Sequence, residues 1–195
     1  MPLIVGITGN IGCGKSLVGT LLADHGISVI DSDHITHDLY EKNGHVQEEI
    51  KKAFGTLDKK EISKIIFSDP KKRKLLESII HPRVAERLGE WVRENEDKDI
   101  LANLVPLLFE AKLEDRFDVI VTVITEEKTQ IERIQNRHPD WTLDGIMKRV
   151  KSQIPQEEKK ARSQFVIDNS GGMDETMKQV EKLVDSLKKL VKEKV

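Results

Sequence analysis

The stretch Gly9–Ser16, GNIGCGKS, constrains this chain more than any other. It has the spacing G-x-x-x-x-G-K-S. Glycines at those places let the backbone wrap an anion at torsions that other residues resist. The loop N–H groups and the N-terminus of the following helix then point at phosphates. The pattern puts Lys15 on the β- and γ-phosphates of a nucleotide and the Ser16 hydroxyl on Mg²⁺. Nucleotide contacts are therefore expected from Gly9, Asn10, Ile11, Gly12, Cys13, Gly14, Lys15 and Ser16. The flanks agree. LIVGIT (Leu3–Thr8) reads as a buried parallel strand, and Lys15–His25 as a helix closed by Gly26. Ser28–Ile30 reads as a second strand closing on Asp31-Ser32-Asp33. Strand, helix and strand in so short a space make a βαβ unit and favour a parallel sheet.

Ile35 to Glu96 holds no good strand. EISKIIF, RKLLESII and RVAERLGEWV carry apolar residues at helical spacing, and Ser68-Asp69-Pro70 reads as a helix start. This predicts a helical insertion, residues 35–97, on an α/β frame. Helices beyond the carboxyl ends of strands are placed to hold a second substrate. Strands resume at Ile100–Val105 and Val119–Ile124. Thr125-Glu126-Glu127 is expected to cap a helix running to about Arg137. The polar stretch 138–162 contains a short helix with Arg149, then Pro155. Phe165–Ile167 reads as the last strand, followed by a turn and a long amphipathic helix from Met173, with Val180, Leu183, Val184, Leu187 and Leu190 on one face. The nucleotide core is thus expected over 1–34, 98–137 and 163–195, with 138–162 as a lid.

Three classes of protein use this loop. A GTP switch needs an N/T-K-x-D segment, and none occurs. A motor ATPase carries an acid at the tip of an apolar strand, but Ile100–Val105 runs into Pro106 and Val119–Ile124 into Thr125. A small-molecule kinase places acids after the second strand, where Asp31 and Asp33 stand. Alternation along an extended segment lets both project the same way. One is expected to hold Mg²⁺ through water, and the other to deprotonate an acceptor hydroxyl. Asp33, nearer the insertion, is assigned the base; helix capping is the alternative for each, and stands more open for Asp31. A lid excludes water from the transfer. Arg137 and Arg149 are expected to stabilise charge there, while Arg133 and Arg162 are expected on a solvated helix face. His34, His37 and Asp38 lack the further ligands of a closed zinc site.

The charges nearly cancel, to a net −2, which gives no ground for a nucleic-acid partner. No apolar run approaches the roughly 20 residues of a membrane span, and no basic leader opens the chain. A cytoplasmic protein without a membrane partner is expected. Cys13 is the single cysteine. The helix end and Lys15 lower a thiol pKa, but no His or Asn arrangement suggests a cysteine nucleophile. It reads as a bystander that a covalent modifier would convert into a block.

The sequence resembles the dephospho-CoA kinase family nearly end to end. GITGNIGCGKS, VIDSDHI, IFSDPKKRKLLESIIHPRV, VPLLFE (Val105–Glu110), QIERIQNR, KRVKSQ and VIDNSG carry the resemblance. VPLLFE with His81-Pro82 and the D-x-D is its most specific part. The resemblance implies ATP-dependent phosphorylation of the ribose 3′-hydroxyl of dephospho-CoA. It implies a three-layer α/β core with a five-stranded parallel sheet, a helical CoA-binding domain and a lid. By position it makes Asp33 the base, and it sets Arg137 and Arg149 on the lid facing ATP. It puts Asn169 near the adenine, and His81 and Pro82 in the CoA domain. Pro106, Leu107, Leu108 and Glu110 fall beside the acceptor. A monomer, at most weakly oligomeric, is expected. Two positions depart from the family pattern. Lys59 stands near the place of an arginine, which loses a bidentate fork, and Leu104 stands where many members have Asp. The alternatives are a shikimate- or gluconate-type kinase, or an ATP-binding regulatory module without transfer.

Overall fold

The computed structural model describes residues 1–194. They divide into two compact units, one made of the stretches before Ser32 and after Glu94, the other of Ser32–Glu94.

The first unit is built on a five-stranded parallel sheet: β1 (Leu3–Thr8), β2 (Ser28–Asp31), β3 (Ile100–Leu104), β4 (Val119–Ile124) and β5 (Phe165–Asp168), in the order β2-β3-β1-β4-β5. The order places β1 in the centre, so the loop that follows it emerges mid-sheet. Ile7 is paired with Leu104 on one side and Val121 on the other. β3 ends one residue earlier than expected. Val105 still donates its N–H to the Ile7 carbonyl at 2.8 Å, but Pro106 has no N–H with which to continue a ladder.

Side-chain alternation along the strands makes two layers. Val5, Ile7, Val119, Val121 and Val123 pack with Val18 and Leu22 of α1 (Lys15–Asp24) and with Val180, Leu183, Val184 and Leu187 of α9 (Met173–Lys194). The opposite face holds Ile120, which clusters with Val105, Leu108 and Phe109. Gly6 lies under that second layer. A Cβ there would stand 2.8 Å from Leu108 Cδ1 and 2.9 Å from Phe117 Cγ, so the central strand needs a glycine for the 105–110 turn to pack against it.

Between β4 and β5 run α6 (Glu127–Arg137), α7 (Leu143–Lys151) and α8 (Gln156–Ala161). α8 was not foreseen as a helix. It packs on β4, and the Thr122 hydroxyl reaches the Lys159 carbonyl at 3.4 Å. The stretch 138–162 is therefore not one flap, since its second half is built into the sheet's outer layer. The Thr125-Glu126-Glu127 cap is corrected: α6 has no side-chain cap. The Thr125 hydroxyl instead donates to the Asn169 carbonyl at 3.2 Å.

The second unit contains α2 (Ser32–Lys42), α3 (Gly44–Phe54), α4 (Lys59–Ser68) and α5 (Pro70–Glu94). Its core is Val46, Ile50, Ile62 and Ile79. Asp69 accepts from Lys71 N and Lys72 N at 2.8 and 3.2 Å, capping α5 as expected. The two helical pieces expected around His81-Pro82 form one 25-residue helix with Pro82 inside. Pro removes a helix hydrogen bond there, but α5 packs along α2, α3 and α4, and that burial holds both halves in line. No helix among the described residues is long and apolar enough to cross a membrane.

Candidate active site

The Gly9–Ser16 loop joins β1 to α1. Gly9, Gly12 and Gly14 all have positive φ, 146°, 80° and 93°. At Gly14 space forbids a side chain as well: a Cβ would lie 2.0 Å from Asn169 Nδ2. Lys15 Nζ donates to the Gly9 carbonyl at 2.6 Å and to the Asn10 carbonyl at 3.3 Å. Its ammonium is thereby held back over the loop, where a polyphosphate chain would pass. Ser16 is exposed in the first turn of α1.

Amide side chains brace the loop, and two of them, Gln130 and Gln153, were not singled out in the sequence. Gln130 Nε2 donates to the Ile11 carbonyl at 2.6 Å, and Ile11 N donates to Gln153 Oε1 at 2.8 Å. Asn10 Nδ2 donates to the Ile154 carbonyl at 3.2 Å. Asn169 Nδ2 donates to the Cys13 carbonyl at 2.8 Å, while its Oδ1 accepts from the Thr176 hydroxyl at 2.9 Å. The Asn169 side chain is thus occupied with the loop and α9. Gln130 and Gln153 are uncharged and form no motif of their own, which is why they escaped notice.

Cys13 is fully buried, and its Sγ lies 3.2 Å from Gln156 Oε1. Burial pushes the thiol pKa up, against the smaller opposing pull of Lys15. The idea of an accessible chemical handle is corrected, because desolvation outweighs the cationic surroundings. Only the backbone of Cys13 is available to a phosphate.

The arginines fall differently from expectation. Arg137 is exposed in the last turn of α6. Arg149 is exposed on α7, lying over the Trp141 ring at 4.0 Å and donating to the Gly145 carbonyl at 3.0 Å. Arg133, assigned to a solvated face, is half-buried; its Nη1 lies 3.7 Å from the Cβ position of Gly14 and is buried without a partner. The spacing Q-x-x-R from Gln130 to Arg133 is the one sequence trace of this, since it sets both on the loop-facing side of α6. Arg162 pairs with Glu114 and Glu158 and lies over the Phe109 ring at 4.4 Å.

Asp31 ends β2, whereas Asp33 is in the first turn of α2. The expected alternation of both along one extended segment is corrected: the strand stops at Asp31, and Asp33 follows helical geometry. An acid in a first helical turn is favoured by the helix dipole.

In the 106–110 turn, the Leu108 side chain is wholly buried in the apolar cluster. Leu107 is 45% exposed. Glu110 Oε1 accepts from Ile154 N at 3.0 Å and pairs with Lys159 Nζ at 2.8 Å. Pro106 is half-buried, and its carbonyl accepts from the Thr8 hydroxyl at 3.3 Å. Leu104, in place of an acid, is buried, and its Cδ1 would lie 2.9 Å from a Cβ on Gly19 of α1; a carboxylate there would be forced into the core. In the helical unit, His81 and Pro82 are exposed on α5. Lys59 pairs with Glu41 at 2.7 Å and lies 5.1 Å over the Tyr40 ring. His34 and His37 pair with Asp38 and Glu41 on an exposed face of α2.

Comparison with known proteins joins these features. The dephospho-CoA kinase family model matches residues 3–175. A dephospho-CoA kinase of Rhizobium meliloti is 36% identical over 194 residues, covering 95% of this chain and 98% of its own. The crystal structure of TT1252 from Thermus thermophilus superposes with a TM-score of 0.87 at 33% identity, over 95% of this chain and 97% of that one. Dephospho-CoA kinase from Campylobacter jejuni shares the fold, with a TM-score of 0.70 at 24% identity over 97% and 98%. This chain belongs to the dephospho-CoA kinase family, the ATP-using phosphotransferases of the final step of coenzyme A biosynthesis.

Proposed function

We propose that the chain transfers the γ-phosphoryl group of ATP to the ribose 3′-hydroxyl of dephospho-CoA, giving CoA and ADP. One observation carries the reading: in a chain of this family, a glycine-forced phosphate loop and the VPLLFE turn both emerge at the carboxyl end of the same parallel sheet. Lys15 holds the β- and γ-phosphates, and the backbone of Gly9–Gly14 wraps them. Arg133 offers a buried donor at the loop, and Arg137 and Arg149 supply mobile cations from α6 and α7. Asp33 accepts the proton of the acceptor hydroxyl. Leu107 and Glu110 border the acceptor, and His81 and Pro82 are assigned to substrate binding by the family resemblance.

Mg²⁺ fits the donors present. No group of three or more His, Cys, Asp or Glu side chains makes a metal cage among the described residues. Mg²⁺ in such enzymes is held through substrate phosphates and one or two protein oxygens, and the Ser16 hydroxyl and Asp31 carboxylate are hard oxygens of that kind. When bound, the ion neutralises charge on the transferring phosphoryl group. The near-balanced charge of the chain suits a small-molecule acceptor, and the reading takes the protein as a cytoplasmic monomer without a nucleic-acid partner.

The test is ADP release from Mg-ATP with dephospho-CoA, shikimate or gluconate as acceptor. Turnover is expected with dephospho-CoA alone; turnover with either other acceptor and none with dephospho-CoA overturns the reading. Asp33→Asn is expected to lower kcat by at least about 100-fold while ATP still binds. Near-normal turnover would remove Asp33 from the role of base.

A further inference from the structure

Lys159 of α8 is the one charged side chain among the described residues that is fully buried. Its Nζ pairs with Glu110 Oε1 at 2.8 Å and donates to the Pro106 carbonyl at 3.4 Å. Both partners belong to the turn after β3. Glu110 Oε1 also accepts from Ile154 N, while Glu110 Oε2 is buried and has no partner at all. Asn10 repeats the arrangement from the phosphate loop: its Nδ2 holds the Ile154 carbonyl, and its Oδ1 is buried without a partner. Two unpartnered acceptors thus sit on side chains that hold the backbone N–H and the backbone carbonyl of one residue, Ile154.

Replacing a buried ion pair by well-packed apolar side chains of the same size is often neutral or stabilising. A buried acceptor without a donor costs free energy. Neither feature is explained by stability, and both are explained if Glu110 is set in place for a donor that arrives with a ligand. Lys159 and Ile154 N together fix Oε1 and leave Oε2 as the free oxygen. The Pro106 carbonyl, tied by both Lys159 and Thr8, fixes the other end of the turn. Gly6 beneath Leu108 keeps the turn close to β1.

We infer that Lys159 is a positioning residue: it orients the Glu110 carboxylate so that Oε2 accepts a hydrogen bond from the acceptor substrate. The inference rests on the dephospho-CoA reading above.

The experiment is steady-state kinetics and thermal melting of the full chain as wild type, Lys159→Met, Glu110→Gln and the double variant. Lys159→Met is expected to raise KM for dephospho-CoA roughly tenfold, with KM for ATP within about twofold of wild type. Glu110→Gln is expected to do the same. In the double variant the KM effects should not add, because both act through one carboxylate. Its Tm should recover toward wild type, because no buried charge is left unpaired, while KM should stay high. A Lys159→Met variant that melts earlier but keeps its KM for dephospho-CoA overturns the positioning role. So does a rise in the Mg²⁺ requirement without a change in that KM, which would place the donor on a metal-bound water. If Lys159→Met does not fold, the double variant and Glu110→Gln decide: an unchanged KM in both overturns the role. A wild type with no dephospho-CoA turnover overturns the functional reading itself, and this inference with it.

Discussion

The side-chain amide of Asn169 holds the carbonyl of Cys13 at 2.8 Å, tying the turn after β5 to the middle of the phosphate loop. Its other end takes the Thr176 hydroxyl of α9. Asn169→Ala leaves the Cys13 carbonyl without this donor and the buried Thr176 hydroxyl with only its longer bond, 3.4 Å, to the Gly172 carbonyl. It should lower stability by about 2 kcal/mol and weaken ATP binding about tenfold. Urea unfolding and nucleotide titration check the two effects; ATP affinity equal to wild type would show that the clamp has no part in shaping the loop.

Gly14 and Gly26 both have positive φ, but only Gly14 lacks room for a Cβ. Gly26→Ala should cost about 1 kcal/mol, from the backbone alone, with KM for ATP unchanged. Gly14→Ala must also push Asn169 away, and ATP binding should fall by more than about tenfold. Equal kinetics in the two variants would contradict the steric account.

The buried Cys13 thiol should react with iodoacetamide slowly in the native protein and fast in urea. Because burial raises its folded pKa above the ordinary 9.0, the folded state keeps a proton that the unfolded chain gives up. The thiol's contribution to stability is therefore whole below that value and declines as pH rises through it toward the folded pKa. Melting curves of wild type and Cys13→Ala should diverge in slope above pH 9. Parallel curves would mean that the thiol does not titrate differently on folding.

Arg133→Gln should raise KM for ATP about tenfold, since a charged donor beside the loop is lost, with KM for dephospho-CoA unchanged. Arg162→Gln removes the pairs with Glu114 and Glu158 and the stack on Phe109. It should lower Tm and leave both KM values in place. The opposite assignment of effects would restore Arg133 to a solvated face.

Strands β1 and β4, the loop and α9 could be read from the sequence because each rests on local pattern: alternation, glycine spacing or a helical stripe. The roles of Arg133 and Leu108 could not. Whether an arginine on α6 meets solvent or the loop depends on how α6 docks, and the residues around Arg133 and Arg137 look alike locally. VPLLFE drew attention to this turn, but the inward packing of Leu108 depends on distant residues such as Gly6 and Ile120, which no local pattern connects to it. α8 was missed because its first turn follows Pro155 and its anchor, Lys159, is a charged residue that local rules place outside. The Asp31–Asp33 alternation failed because extended backbone was assumed through Asp33, two residues beyond the end of β2.

The two chain crossings into and out of the helical unit stand close together on the sheet. The Ser28 hydroxyl at the start of β2 lies 3.1 Å from the Asn95 side chain, where the chain returns, and the exit at Asp31 is three residues further, about 10 Å along the strand. Residues 32–94 are therefore spliced into the core like a cassette between neighbouring sockets. A short linker can bridge that gap, and an insert with a different ligand preference can occupy it without re-threading the parallel sheet. Exchange of that one contiguous segment would carry Asp33, the proposed base, along with the helices, while the phosphate loop stays behind in the core.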